Sequence, residues 1–205
     1  MNNAPLPTSQ IKERGRPREF DVGLALDNAM LVFREKGFHA ASIAELGEAM
    51  NLTAGSIYKA FKDKRTLFLT VFERYTSLRN SALRGRLEPL QTGREKLAEL
   101  MRFYLESAQD SEGRRGCLVV GSASELQVLD ETLSELVRQA VIRNKSLLTS
   151  LLTQGQQDGS VSARLHVETA AELILCLLFG MRIVGKMQNI TDREATLGLA
   201  MKLLE

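Results

Sequence analysis

Apolar residues recur at spacings of three and four along most of the chain beyond residue 20, the pattern of helices that each bury one face. Ile43, Leu46 and Met50 form one such face. Ser42 precedes it with Glu45 three residues on, the spacing of a capping box, in which the hydroxyl accepts from a free amide of the first turn and the carboxylate reaches back. Asn51 tolerates the left-handed conformation that ends such a helix. Thr53 then caps a second, short helix with Ile57 and Phe61 pointing inward, while Thr53, Ala54, Gly55, Ser56, Tyr58 and Lys59 are small, hydroxylic or basic. Asp63 caps a third. The spacing predicts a helix-turn-helix over residues 42–65.

The same periodicity predicts an all-α chain. Asp21 caps a first helix, with Val22, Leu26, Ala29, Met30 and Phe33 inward and Gly37 at its end. From Asp63 a long helix carries the stripe Leu67, Phe68, Val71, Phe72, Tyr75 and Leu78 toward Pro89 and bridges two domains, 20–65 and 66–205. After a break at 91–93, Leu97, Leu100, Met101, Tyr104, Leu105 and Ala108 mark an amphipathic helix, followed by a loop from Ser111 to Gly116 and a short helix from Gly116. A long helix over Leu133 to Leu152 closes at the turn from Gly155 to Gly159. Two more are expected over Val167–Met187 and Asp192–Leu204. Residues 173–181 are apolar on nearly every side and need cover all round.

Charge adds a direction to this picture. The net charge is only +2, but residues 1–90 carry 14 Lys/Arg against 10 Asp/Glu and residues 91–205 carry 13 against 15. A major-groove reader needs a helix slim at its N-terminus with phosphate ligands at its flanks. Ala54, Gly55 and Ser56 meet the first need, and Lys59, Lys62, Lys64 and Arg65 the second, with Tyr58 adding a hydroxyl. Periodicity alone equally suits a helical hairpin with a solvated, charged edge. Residues 1–19, holding three of the four prolines, read as a flexible basic arm. Its Arg14-Gly15-Arg16-Pro17 resembles the AT-hook core, which lays arginines in a narrow minor groove, here with Arg18 alongside. A basic tail that adds only non-specific affinity is the other reading.

Two cysteines and two histidines are too few and too scattered for a disulfide framework or a metal site, so no metal or cofactor is expected. No nucleophile with its base, P-loop or dinucleotide glycine pattern is present, which argues against an enzyme. The longest apolar run is far short of the roughly 20 residues of a membrane span, and no signal region opens the chain, so a cytoplasmic protein is expected. The chemical rival is a helical small-molecule-binding protein that never touches DNA.

The segment GFHAASIAELGEAMNLTAGSIYKAFKDKRTLF, from Gly37 to Phe68, resembles the DNA-binding signature of the TetR/AcrR (tetracycline-repressor-like) transcriptional regulators nearly position for position. Tyr58-Lys59-Ala60-Phe61 departs mildly from the aromatic or His that is usual there. The resemblance implies a three-helix DNA-binding domain and a larger C-terminal helical domain that binds an effector and dimerises, here through residues 166–205. Two reading heads would then meet successive major grooves of a pseudo-palindromic operator on double-stranded DNA. The DNA contacts implied are Arg14, Arg16, Arg18, Ser42, Thr53, Ala54, Gly55, Ser56, Tyr58, Lys59, Lys62 and Lys64. The position of the family's effector pocket implies Met101, Tyr104, Leu105, Val141, Phe179 and Arg182, with Arg182 seeking an anionic partner such as Glu172 or Glu168. Some TetR-like regulators that respond to electrophiles or oxidants have a similar Gly116-Cys117-Leu118 segment. Cys117, at a helix start after Arg114 and Arg115, is therefore either a redox sensor or a small apolar core residue. Cys176 reads as structural. Repression and activation are not separable at this level.

Overall fold

A computed structural model of the protein describes residues 20–205. These form ten α-helices: α1 (Val22–Ala40), α2 (Ile43–Met50), α3 (Ala54–Phe61), α4 (Lys64–Leu87), α5 (Gly93–Ser107), α6 (Asp110–Arg115), α7 (Leu118–Ser124), α8 (Glu131–Gln157), α9 (Val167–Met187) and α10 (Arg193–Met201). Short 3-10 turns follow α7 and α10. No strand occurs among the described residues, and none of their helices is long and apolar enough to cross a membrane.

The helix starts are fixed locally. Asp21, Ser42, Thr53, Asp63, Thr92, Asp130 and Asp192 each accept from the amide three residues on, which satisfies one of the donors that a helix N-terminus leaves free. Helix ends depart more from expectation. Gly37 kinks α1 instead of ending it: its φ of +80° breaks the ladder, and the helix resumes to Ala40. A side chain at Gly37 would be strained and would strike the Glu125 carboxylate. The loop expected at Ser111–Gly116 is mostly the short helix α6, and α8 runs through Gly155 to Gln157 because Gly155 lets α8 press on the start of α5 at Gly93.

Two apolar clusters hold the chain together. One centres on Phe33, Phe38, Phe68 and Phe72, where Phe33 meets Phe68 edge-on at 5.0 Å between ring centres and Phe38 meets it at 5.1 Å. It does not stop at residue 65: Cys117, Leu118, Val119, Leu133 and Val137 complete it, so the N-terminal helices are packed on α7 and α8. The other joins α5, α8, α9 and α10 through Leu97, Leu100, Leu148, Leu152, Ile174 and Leu178. Along α4 the expected stripe shifts by one residue. Leu78 is exposed, and the buried face continues as Tyr75, Leu83 and Leu87, with Arg79 half-buried among them.

At the α5–α6–α9 junction, a Cβ on Gly185 would lie 2.5 Å from the Ala108 carbonyl oxygen, whereas one on Gly85 in α4 would meet nothing within 4 Å. Gly185→Ala should therefore destabilise the fold by about 1–3 kcal/mol through overpacking. Gly85→Ala should leave stability unchanged or raise it by up to about 1 kcal/mol through helix propensity. Denaturant unfolding of the two variants beside the parent checks both.

Candidate nucleic-acid interface and the chamber behind it

α2 and α3 form the helix-turn-helix. The Ser42 hydroxyl accepts from the Glu45 amide at 3.2 Å while the Glu45 carboxylate accepts from the Ser42 amide at 3.0 Å, so both halves of the capping box are made. Asn51 ends α2 at φ 54°, in the left-handed region expected of it. Leu52 donates its amide to the Gly47 carbonyl, and a Cβ on Gly47 would lie 2.8 Å from the Leu52 oxygen, so the turn has room only for glycine there. Thr53 caps α3 by accepting from Ser56 at 3.2 Å. Ile57 and Phe61 are buried beneath α3 and leave Thr53, Ala54, Gly55, Tyr58, Lys59 and Lys62 on the outside. Lys64 sits differently: its ammonium lies 4.8 Å over the Phe38 ring and donates to the carbonyls of Ala41 and His39 at 3.0 and 3.3 Å. Arg14, Arg16 and Arg18, with the whole 1–19 arm, lie outside the described residues.

Polar contacts tie this head to the rest of the chain. Arg65 forms a two-pronged pair with Asp130, the cap of α8, at 2.7 and 3.3 Å. Arg34 of α1 reaches farther. Its Nε and Nη2 donate to the Gly116 carbonyl at 3.0 and 2.6 Å, and Nη2 also meets the Glu112 carboxylate at 2.6 Å. The same Gly116 oxygen accepts from Arg182 of α9 at 2.9 Å. This corrects the pairing expected of Arg182: its carboxylate neighbour is Glu112, at 3.9 Å, while Glu172 is held by Lys145 at 2.6 Å.

Beside this carbonyl is the Cys117 thiol, buried at the start of α7. Burial pushes its pKa up, but Arg79, the Tyr75 hydroxyl, the Val120 amide and Arg182 together bring it below the ordinary thiol value. Burial drives Tyr75 the other way, well above the usual phenol, and raises Tyr104 to about 12. The Arg79 guanidinium lies against Phe103, Tyr104 and Tyr75, at 4.6, 5.6 and 5.8 Å from the ring centres, and gives one hydrogen bond to Ser107 at 3.3 Å. Apart from its approach to the sulfur, the Tyr75 hydroxyl has no partner; neither do Arg79 Nη2 or Arg182 Nε and Nη1. A cavity of about 30 Å³ opens among Tyr75, Arg79, Tyr104, Cys117 and Ala140. Of the effector residues expected from the sequence, Tyr104 lines it; Arg182 is outside its wall and donates to the Gly116 carbonyl, and Met101, Leu105, Val141 and Phe179 pack in the apolar clusters. Arg34, Arg79 and Tyr75 were not among them. The available signal was Arg79, a charge at the i+4 position of a buried stripe.

Residues 25–71 match the bacterial regulatory proteins of the tetR family, and residues 93–201 match a tetracyclin repressor-like C-terminal domain. The chain belongs to the TetR family. It is 28% identical over 176 residues to the HTH-type transcriptional repressor ComR of Escherichia coli K12, spanning 85% of this chain and 84% of that protein. A cysteine mutant of the TetR family regulator CifR, solved with a 26-bp operator duplex, superposes with a TM-score of 0.76 at 32% identity over 93% of this chain and 98% of that one. A TetR-family regulator from Cytophaga hutchinsonii shares the fold, with a TM-score of 0.76 at 21% identity over 89% and 92%. The protein is thus a DNA-binding regulator of transcription, not an enzyme, and its helix-turn-helix lies where the TetR family carries one.

The capping box has a titration signature. Lys36 most of all, then the Ser42 amide and hydroxyl, hold Glu45 at about pKa 2, below its usual 4.5. A depressed carboxylate stabilises the fold fully above its unfolded value, and the contribution is lost as pH falls through the folded one. The α2 start should therefore persist at pH 4 and weaken toward pH 2. In an NMR titration, Lys36→Ala should move Glu45 back toward 4.5; an unmoved Glu45 would remove Lys36 as the cause.

Proposed function

We propose that the protein is a homodimeric repressor that releases its operator when an effector occupies the chamber around Arg79 and Cys117. The observation carrying this reading is the Gly116 carbonyl shared by Arg34 of the reading head and Arg182 of α9. A ligand that draws on Arg182, or shifts the Gly116–Cys117 peptide, alters the bonds holding α1, and with it the angle of α2 and α3. A hundredfold loss of operator affinity needs about 2.7 kcal/mol of coupling, the size available from one bound ligand.

On the DNA, the exposed N-terminal turn of α3 enters the major groove. Ala54 and Gly55 allow close approach, Tyr58 and the hydroxyls of Thr53 and Ser56 contact the duplex, Lys59 and Lys62 hold phosphates, and the α2 amides capped by Ser42 take another. Lys64 acts first as a brace between α4 and the end of α1. The arm arginines 14, 16 and 18 add minor-groove affinity. Two-fold pairing spaces the heads: Leu173, Ile183 and Met187 leave 48%, 53% and 74% of their surface exposed on one side of α9, with Cys176 exposed beside them, a face suited to a second copy.

Fluorescence anisotropy on DNA from upstream of the protein's own gene, against a random duplex, tests the reading. Sequence-selective binding with a steep salt slope is expected, Tyr58→Ala should weaken it at least tenfold, and Lys62→Ala should lower the slope by about one. Equal, weak binding to both duplexes, repeated in a genome-wide selection, would favour a ligand binder without DNA. Ile183→Glu should give a monomer by light scattering and abolish tight operator binding.

A second reading is favoured by the place of Cys117, which lines the cavity beside Arg79 and adjoins the Gly116 peptide: an electrophile or oxidant that modifies the sulfur displaces that peptide directly. N-ethylmaleimide or diamide should then release operator from the parent and not from Cys117→Ser; equal release from both would remove Cys117 from the mechanism.

A further inference from the structure

The Cys117 cavity adjoins a larger space. Between α4 and α8 lies a groove of about 510 Å³, within the roughly 300–1,000 Å³ range of small-molecule sites, with Leu83, Leu87, Leu147 and Leu151 along its floor. Asn80, Arg143 and Asn144 border both the groove and the cavity, so the two are neighbours separated by these side chains at most. From Arg79 to Leu87 the wall rises eight helical residues, about 12 Å, the reach of a medium-length alkyl chain.

The polar end is cationic and unbalanced. Arg34 and Arg182 converge on the Gly116 carbonyl beside the part-exposed Glu112, and Arg79 lines the cavity next to Cys117 with no carboxylate of the described residues in salt-bridge reach. Arg182 is 1% exposed and still has two nitrogens without a partner; one nitrogen of Arg79 and the buried Tyr75 hydroxyl are likewise open. Buried donors left unmade are costly, and buried guanidinium groups call for an anion. With room for about two water-sized atoms, the cavity matches the two oxygens of a carboxylate. Farther out, Arg84, Lys96 and Arg143 line the groove against a single acidic residue, Glu88.

We infer that the effector of this regulator is an aliphatic monocarboxylate, its head on Arg79 and the Tyr75 hydroxyl and its tail on the leucines between α4 and α8. This rests on the regulator reading and gives its effector a chemical class. The head replaces the anion that the arginine cluster lacks, and the tail packs along Leu83 and Leu87 and covers the half-buried Leu147. Neither half suffices: an alcohol of the same length leaves the guanidinium groups unbalanced, and a short acid leaves the groove empty.

Isothermal titration of the full-length protein with sodium octanoate, octan-1-ol and sodium acetate tests the inference, with operator anisotropy measured on the same samples. Octanoate should bind at least tenfold more tightly than either of the others and weaken operator binding. Arg79→Gln should reduce octanoate to the level of octanol, and Leu147→Glu, at a half-buried position of the groove, should weaken octanoate at least tenfold. Octanoate that binds no better than octanol, or that is unaffected by both substitutions, overturns the inference. Selective operator binding by a protein that ignores octanoate would sink the effector class alone, whereas octanoate binding without operator binding would sink the regulator reading and leave the carboxylate site.

Discussion

One backbone carbonyl joins the two halves of the molecule. The Gly116 oxygen, at the end of α6, carries the negative end of that helix's last turn and accepts from a guanidinium on α1 and another on α9. An sp² oxygen has two lone pairs, and here two arginines from distant parts of the chain use them. Gly116 can present its carbonyl this way because it sits at φ +78°, and the Lys186 side chain fills the space where a Cβ would lie. A shift of the Gly116 peptide disturbs both arginines at once, so α1 and α9 share one constraint.

The charge around that carbonyl fits the switch proposed for it. Glu112 is part-exposed, and a surplus of buried positive charge is left to be answered by the Cys117 sulfur or by a bound anion. An uncompensated cluster of this kind is costly to stability, the usual mark of a site built for binding. The aromatic rings of Tyr75, Phe103 and Tyr104 hold Arg79 in place while leaving its outer nitrogen open.

The parts of the structure legible in the sequence are those set by neighbours a few residues apart. Ser42 with Glu45, Asn51 and Thr53 specify α2, the turn and α3 through contacts spanning three or four positions, and the spacing of Ile57 and Phe61 says which face of α3 is left for DNA. Helix ends were less legible, because the kink at Gly37 and the passage of α8 through Gly155 answer to Glu125 and Gly93, far away in the chain. The chamber was the least legible. Arg34 meets Gly116 across 82 residues and Arg182 across 66, and no local periodicity reports such a meeting. A stripe that changes from Tyr75 to Arg79 to Leu83 records a half-buried charge without naming its partners.

The claim that the Gly116 carbonyl couples the head to the C-terminal helices is tested most directly by a double-mutant cycle on operator affinity, with Arg34→Gln, Arg182→Gln and the pair. If the two arginines act through one oxygen, the double variant should depart from the sum of the singles by at least about 0.5 kcal/mol, more than twofold in Kd. Additive losses would show that the head and α9 act independently and would contradict this account of regulation.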